Sequence, residues 1–330
     1  MKLGEMGERA FLSSIRDFVS EIEGSVLGFD EDASDFPLDK GTSLVVNVDT
    51  FVGSTDWLPG MTEAQVGRKT AVMALSDIVA KGAKAKATML SLSVPAESEV
   101  KKAEELIRGF SQFCLKSDVP FIGGDVGTTP DTVLTAIALG IAESERIVTR
   151  GGANEGDTIA VTSPFGLTSI AFKILIDGLG AEESLRMEAI KAAYKPRIDF
   201  GLVAALSKQV AVSSAMDSSD GLGITLNTMA SQCQLAFVID HVPAAEGVDE
   251  FAKKNRLNPL DLVMRGGEEF ALVLTIPEKK LDDALRIAEK EQAILIPIGT
   301  VVKGEGVSLK SSEGLIDISA EGYDSFREWR

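Results

Sequence analysis

The residues with the clearest chemical potential are two aspartates that enclose a pair of serines, in the segment Asp217-Ser218-Ser219-Asp220. Glycines and an apolar, helix-like run follow, so one of these side chains could serve as an ordinary helix N-cap. A cap needs only one side-chain oxygen, and a second carboxylate on the same turn is repelled unless a cation lies between the two. The local pattern is equally compatible with a helix cap and with part of a metal site.

Four more aspartates stand at the edges of apolar segments, and they favour the metal site. They are Asp32, Asp49, Asp77 and Asp125. Buried carboxylates cost several kcal/mol unless they are paired or metal-bound, and Lys and Arg are scarce near all six acids in the sequence. Oxygen ligands suit Mg²⁺, which commonly binds through a few carboxylates and substrate phosphates. We therefore expect magnesium-assisted phosphoryl transfer, which depends mainly on positioning and charge neutralisation.

Two further features could contact phosphate, although neither is decisive alone. Gly123-Gly124-Asp125 follows a short apolar strand, and such a turn permits close approach of the backbone to a ligand. Arg150 lies in a Gly-rich stretch, where its guanidinium suits bidentate phosphate binding, but it is also compatible with a surface arginine in a linker. The chain has neither a Walker pattern nor a kinase-type glycine loop, so those two nucleotide-binding folds are set aside.

Length and composition limit the kind of protein that carries these residues. The 330 residues suit two domains of roughly 150 residues each, and a Gly-rich polar stretch places the boundary so that residues 1–147 and 148–330 form the halves. The net charge of −17 argues against nucleic-acid and membrane partners. Two cysteines and one histidine make zinc or Ser-His-Asp chemistry improbable. Without an apolar run of about 18 residues, we expect a cytoplasmic protein in a reducing setting.

Regular elements must position the acids. Residues 42–52 alternate as a β-branched strand that contains Asp49, and residues 62–80 have the spacing of a helix that contains Asp77. Asp77 could also lie on an ordinary solvent-exposed face of this helix. Residues 211–216 form a strand that leads directly into the Asp217 segment, and residues 8–22 have the spacing of an amphipathic first helix. Both halves mix strands and helices, so the fold class is α/β or α+β throughout.

Seven segments, in order along nearly the whole chain, resemble a known family. They are Glu31-Asp32-Ala33, Asn47-Val48-Asp49, Leu75-Ser76-Asp77 with Lys81-Gly82-Ala83, Gly123-Gly124-Asp125, Arg150 with Gly156-Asp157, Asp217 to Leu222, and Gly266-Gly267-Glu268-Glu269-Phe270. Together they resemble the thiamine-monophosphate kinases of the aminoimidazole-ribonucleotide synthetase-like superfamily. The resemblance implies an N-terminal α/β half whose sheet forms a barrel in a homodimer, a C-terminal α+β half, and ATP bound between the halves. It also implies transfer of the ATP γ-phosphoryl group to thiamine monophosphate.

The resemblance assigns roles by position. Mg²⁺ would be held by Asp32, the Val48 carbonyl, Asp49, Asp77, Asp125, Asp217 and Asp220, with Asp125, Asp217 and Asp220 as the catalytic acids. ATP would contact Gly124, Asp125, Arg150 and Ser219. Thiamine would contact Asp56, Glu268 and Tyr323.

This chain departs from the family mainly on the acceptor side. Asp56 replaces a substrate-side histidine and could pair with a cationic thiazolium or aminopyrimidine, although an ordinary loop residue is the simpler interpretation. Glu31, Val48, Glu269 and Phe270 replace the usual Asp, Thr, Asp and Tyr. A related ATP-dependent kinase or synthetase of another small phosphate acceptor therefore stays an alternative, as does a nucleotide-binding regulatory module without turnover. Six intact acids favour an enzyme over a regulatory module.

Overall fold

The computed structural model describes residues 2–39, 41–323 and 326. Its first half contains a five-stranded sheet in the order β1-β2-β5-β3-β4. The strands are β1 (Ser34–Asp39), β2 (Thr42–Val52), β3 (Lys84–Val94), β4 (Phe121–Thr128) and β5 (Val133–Glu143). The helices are α1 (Leu3–Met6), α2 (Glu8–Ile15), α3 (Gly53–Asp56), α4 (Glu63–Ala80) and α5 (Val100–Lys116). The β3–β4 pair is parallel and the other pairs are antiparallel, so the sheet is mixed.

The second half contains a seven-stranded mixed sheet in the order β12-β11-β8-β10-β6-β9-β7. Its strands are β6 (Thr158–Val161), β7 (Ser214–Ser218), β8 (Ala236–Ile239), β9 (Ala271–Ile276), β10 (Ile296–Val302), β11 (Val307–Ser311) and β12 (Gly314–Asp317). Its helices are α6 (Leu167–Leu175), α7 (Glu183–Tyr194), α8 (Leu202–Lys208), α9 (Leu222–Cys233), α10 (Val248–Asn255), α11 (Pro259–Met264) and α12 (Leu281–Lys290). The expected mixture of strands and helices in both halves is confirmed.

Helix α4 lies between the two sheets and organises the region where they meet. Thr62 caps its first turn, since the Thr62 Oγ1 accepts from the Gln65 N–H while the Gln65 side chain accepts from the Thr62 N–H. The helix packs on β2, β3 and β5 of the first sheet and also touches β7 of the second. A Cβ at Gly67 would lie 1.8 Å from the Leu106 carbonyl oxygen, so only glycine lets α4 and α5 pack this closely. Few α4 residues reach solvent, and polar side chains on this helix therefore need a specific partner.

Two sequence expectations about elements need correction. The helix predicted over residues 8–22 is α2, which ends at Ile15. A short 3₁₀ turn over Arg16–Phe18 replaces its predicted continuation. None of these helical residues is buried, so tertiary packing does not stabilise a longer helix. Strand β7 extends to Ser218, which places Asp217 inside the strand and not in the following turn. Within the described part of the chain, no helix has the length and apolar character that crossing a bilayer requires.

Candidate active site

Three of the six predicted acids meet where α4 contacts the second sheet. Asp32 precedes β1, Asp77 lies on α4 and Asp217 lies on β7. One carboxylate oxygen from each residue lies within 4.8 Å of the others. Segments more than a hundred residues apart, from both halves of the chain, therefore place carboxylates around one point.

Hydrogen bonds fix the orientation of two of these carboxylates. The Ser76 Oγ donates to the Asp217 Oδ2 over 2.6 Å, and the Asn47 Nδ2 donates to the Asp77 Oδ2 over 2.5 Å. Burial raises the pKa of Asp77 well above its ordinary value, and the nearby carboxylates of Asp217 and Asp49 raise it further. Asp77 thus lies in a setting where ionisation requires a compensating cation.

Asp49 and Asp220 extend the same cluster. Burial raises the pKa of Asp49 to about 7, with further contributions from Asp217, Asp220 and Asp56 and a counteracting hydrogen bond from the Thr50 N–H. Burial also raises the pKa of Asp220 to about 6, and the carboxylates of Glu8 and Asp217 add to this shift. We call Asp32, Asp49, Asp77, Asp217 and Asp220 the carboxylate cluster.

Arg150 and Lys81 border the carboxylate cluster, and the expectation that basic residues are scarce near these acids is wrong. The Arg150 Nε donates to the Asp32 Oδ2 over 2.7 Å, and the Arg150 Nη2 contacts the other Asp32 oxygen. The Lys81 Nζ pairs with Glu31 and lies 3.9 Å from the Asp32 Oδ2. The Lys81 side chain is fully buried. Both cations are far from Asp32 in the sequence, so no local pattern showed either contact.

The donor set fits Mg²⁺ even after these cations are counted. With Glu31 included, six carboxylates lie beside Arg150 and Lys81, while Arg9 and Glu8 exert opposite effects on Asp220, so negative charge predominates when all the acids are ionised. The cluster offers carboxylate oxygens, which are the ligands that Mg²⁺ prefers. Burial is the main reason that the pKa values of Asp49, Asp77 and Asp220 are raised, and the neighbouring carboxylates raise them further; a divalent cation would favour the ionised form of all three.

The structure does not bring Asp125 to the carboxylate cluster. Asp49 aligns across the sheet with Ala136, Leu90 and Gly124, whereas Asp125 aligns with Ser91 in the neighbouring row. Side chains alternate between the faces of a sheet, so Asp49 faces α4 and Asp125 lies on the opposite face. β4 is also three strand spacings from β2, about 14 Å.

Val48 and Gly124, two other predicted ligand contacts, lie near these rows of the first sheet. Val48 stands between Asn47 and Asp49 on β2, and its side chain is 62% exposed on the face opposite α4. A Cβ at Gly124 would lie 1.8 Å from the Leu90 carbonyl oxygen. Glycine at position 124 is therefore required by strand packing, independently of any nucleotide.

Ser219 lies in the turn that joins β7 to α9. Its carbonyl accepts from the Glu268 N–H over 2.5 Å, and the Ser218 carbonyl accepts from the Phe270 N–H over 3.0 Å. Gly221, at φ 117°, allows the chain to enter α9. The α9 N-terminus therefore lies immediately beside Asp220, and its dipole favours negatively charged groups there.

The three predicted thiamine contacts come together on the other side of this turn. The Tyr323 N–H donates to the Asp220 carbonyl over 3.2 Å, which holds Tyr323 against the carboxylate cluster. Burial raises the pKa of Tyr323 to about 12, and the carboxylates of Asp56 and Glu268 contribute to this shift. Burial also raises the pKa of Glu268, while the Lys69 ammonium opposes the shift. We call Asp56, Glu268 and Tyr323 the acceptor group.

Glu269 follows Glu268 in the sequence but has a different role. Its Oε1 accepts from the Gly166 N–H over 2.7 Å and from the Thr168 Oγ1 over 2.9 Å, at the start of α6. Burial raises its pKa to about 7, and these hydrogen bonds oppose the shift. Glu269 therefore secures the α6 N-terminus and does not join the acceptor group.

Comparison with known proteins connects this geometry to a family. The model of the family "AIR synthase related protein, N-terminal domain" matches residues 30–142, and that of "AIR synthase related protein, C-terminal domain" matches residues 154–312. The chain belongs to the AIR synthase related family. It is 36% identical to the thiamine-monophosphate kinase of Nitrosopumilus maritimus, over 90% of this chain and 93% of that protein. It is 30% identical to the thiamine-monophosphate kinase of Synechococcus elongatus, over 98% of each chain.

Solved structures of the family share the fold. The structure "AaThiL complexed with AMPPCP and TMP" matches with a TM-score of 0.85 and 23% identity, covering 98% of this chain and 99% of that one. The thiamine-monophosphate kinase from Stenotrophomonas maltophilia matches with a TM-score of 0.75 and 25% identity, over 91% of this chain and 94% of that one. The resemblance found in the sequence motifs is thereby confirmed, together with a two-domain, mixed α/β fold.

Sequence reasoning missed Lys69, and it gave no role to Ser76, Lys81 or the Asn47 side chain although these three lie in the quoted motifs. Ser76 and Asp77 follow Lys69 by seven and eight positions on the same helix, and this spacing places them near the face that carries Lys69, two turns further along. A single lysine two turns before Asp77 on a largely apolar helix was the available signal. Asn47 is a polar residue inside an apolar strand, which also indicated a specific partner.

Proposed function

We propose that this chain is a thiamine-monophosphate kinase that transfers the γ-phosphoryl group of ATP to the phosphate of thiamine monophosphate, giving ADP and thiamine diphosphate. The observation that carries the proposal is the convergence of the carboxylate cluster from both halves of the chain, with the acceptor group on the adjacent turn. The 36% identity to a thiamine-monophosphate kinase over 90% of this chain supports the same acceptor.

In this proposal Asp32, Asp49, Asp77, Asp217 and Asp220 would hold Mg²⁺, which would supply positive charge to neutralise phosphate at this site. Their burial excludes water, which would otherwise compete with the phosphates for these carboxylates. Residues 1–147 supply three of these acids and residues 148–330 supply Asp217 and Asp220. The reaction therefore requires the two domains to stay together.

Arg150 and Ser219 bind ATP in the proposed complex. The Arg150 guanidinium is held by both Asp32 oxygens and by the Asp30 carbonyl, so it is oriented before nucleotide arrives. A guanidinium in this position binds phosphate oxygens in a bidentate way. Ser219 lies beside the α9 N-terminus, where backbone N–H groups and the helix dipole favour phosphate.

Asp56, Glu268 and Tyr323 bind thiamine in the proposed complex. The Asp56 Oδ2 accepts from the Val52 N–H over 2.7 Å, which fixes its carboxylate at the end of β2. The thiazolium ring of thiamine carries a permanent positive charge, and two carboxylates beside an aromatic ring form a suitable site for a cation. Asp56 therefore supplies an anion where the family commonly has a histidine.

We also propose that the chain forms a homodimer through the face of the first sheet opposite α4, with the two sheets closing a barrel. Register places Leu44, Val46 and Val48 of β2 beside Ile141, Leu139 and Ile137 of β5 on that face. Helix α4 packs on the other face of this sheet, and Val48 on the apolar face is 62% exposed; an exposed apolar surface is typical of an interface. Asp125 lies on the same face, so its predicted roles toward metal and ATP require the site of a second copy.

The deciding experiment is incubation of the purified full-length protein with ATP, Mg²⁺ and thiamine monophosphate, with products separated by chromatography. We expect thiamine diphosphate and ADP in equal amounts, and no phosphorylation of free thiamine in a parallel reaction. ADP formation without thiamine diphosphate would refute the acceptor assignment and would favour the related kinase or synthetase of another small phosphate. Absence of any ATP turnover would favour the regulatory module.

A further inference from the structure

Lys69 is a fully buried lysine whose ion-pair partner is not one of the acids of the carboxylate cluster. Its side chain has no exposed surface, and its Nζ forms an ion pair with the Glu268 Oε1. The ammonium also lies 5.9 Å from the centre of the Phe51 ring. Among the described residues, its Nζ has no other hydrogen-bond partner. A buried ammonium is costly unless it is paired, so the Glu268 carboxylate is what permits a lysine here.

The pair joins elements from the two domains. Lys69 lies on α4, two helical turns before Asp77, whereas Glu268 lies in the loop between α11 and β9. Glu268 and Phe270 adopt positive φ angles of 64° and 53°, which cost energy for residues other than glycine. The loop is held in this conformation by its N–H bonds to Ser219 and Ser218 on one side and by Lys69 on the other.

A purely structural role does not require a charged pair at this point. An apolar side chain of similar volume would fill the same space without desolvating two charges, and such replacements are often neutral or stabilising. The Glu268 Oε1 pairs with the fully buried Lys69, yet the Glu268 side chain keeps 25% of its surface exposed, so this residue extends from a buried partner to an accessible surface. Asp56 is close enough to Glu268 to raise its pKa, which places a second carboxylate at the same opening.

We infer that Lys69 is a positioning residue for the acceptor: it holds the Glu268 Oε1 so that the Oε2 faces the thiazolium of thiamine monophosphate. Lys69 also sets the charge of the site, because two carboxylates and one ammonium leave a single negative charge for a singly charged ring. This inference rests on the proposed function and adds a residue that acts through Glu268.

The test is steady-state kinetics on four full-length variants, with thiamine monophosphate and ATP varied separately. Lys69→Met removes the ammonium and keeps the length, Lys69→Arg keeps the charge, and Glu268→Gln removes the carboxylate. The fourth variant combines Lys69→Met with Glu268→Gln. We expect Lys69→Met to raise the KM for thiamine monophosphate about tenfold or more while the KM for ATP changes less than about twofold. Lys69→Arg should recover part of the loss.

The double variant decides whether Lys69 acts through Glu268. Its KM for thiamine monophosphate should equal that of Glu268→Gln alone, because a residue without its partner has nothing left to position. Additive effects, or equal increases in both KM values, would overturn the inference. If Lys69→Met does not fold, the comparison of Lys69→Arg with wild type and of the double variant with Glu268→Gln gives the same answer.

Failure of the proposed function has a different signature. Wild-type protein would then form no thiamine diphosphate, whereas failure of the Lys69 inference leaves wild-type turnover intact. Binding of thiamine monophosphate, measured by calorimetry with a non-hydrolysable ATP analogue present, provides a readout that does not depend on turnover. Equal acceptor affinity in wild type and Lys69→Met would overturn the positioning role even if both proteins were inactive.

Discussion

Acidification should release Mg²⁺ from the carboxylate cluster well above the pH at which ordinary aspartates titrate. A carboxylate must be ionised to bind a metal ion, so protons and Mg²⁺ compete for it. The pKa of Asp49 is raised to about 7 and that of Asp220 to about 6, mainly by burial. Mg²⁺ affinity in the absence of nucleotide should therefore be highest above pH 8 and should fall steeply below pH 7.

The pKa values set the size of the effect. At pH 5 the protonated form of Asp49 exceeds the ionised form about 100-fold, and that of Asp220 about 10-fold. Apparent Mg²⁺ affinity should be lower by the product, about 1000-fold relative to pH 8, or about 4 kcal/mol. Asp77, whose pKa is also raised, shifts the result in the same direction.

Calorimetric titration with Mg²⁺, in buffers of different ionisation enthalpy, measures both affinity and proton release. We expect release of about one proton per binding event at pH 6.5 and about 0.1 at pH 8 from Asp49 and Asp220. Asp49→Asn should reduce the release at pH 6.5 to about a quarter, whereas Asp240→Asn, at an exposed acid, should leave it unchanged. Equal Mg²⁺ affinity at pH 5 and pH 8, with the fold intact by circular dichroism, would refute this reasoning.

Three other predictions follow from the same geometry. Without metal, the raised pKa of Asp49 contributes folding stability that is fully present below the unfolded-state pKa of 3.8 and is lost as pH rises through 7. In urea unfolding of chelator-treated protein, the free energy of unfolding of wild type should therefore fall by about 1 kcal/mol relative to Asp49→Asn between pH 6 and 8. If each site of the proposed dimer contains residues from both copies, mixing inactive Asp125→Asn and Asp217→Asn subunits should restore about a quarter of wild-type activity. No recovery of activity would place Asp125 outside the partner's site. Gly124→Ala should lower the free energy of unfolding by about 1–3 kcal/mol, because the added Cβ would meet the Leu90 carbonyl. Thermal unfolding measures this change, and Gly28→Ala is the control because its Cβ would lie in open space.

The elements that carry the acids could be predicted because their patterns are local. β2 has the predicted bounds and α4 begins one residue after its predicted start at Thr62, since β-branched alternation and helical spacing were both clear. For the carboxylate cluster, the sequence predicted only that acids at the edges of apolar segments would face a common cleft. Its cations were not predictable, because Arg150 reaches Asp32 from 118 positions away. The face on which Asp125 lies depends on register and on irregularities in β3 and β4, which no local pattern specifies.

Helix α4 explains why a site assembled from such distant segments has a fixed geometry. It carries Lys69 at the acceptor end, Ser76 and Asp77 at the carboxylate cluster, and Lys81 beside Glu31 and Asp32. Eight residues separate Lys69 from Asp77, which is about 12 Å along the helix axis. A helix buried on most sides cannot change that spacing without breaking its packing on both sheets. In the proposed complex, one rigid element therefore sets the distance from Lys69, the partner of Glu268, to the carboxylate cluster.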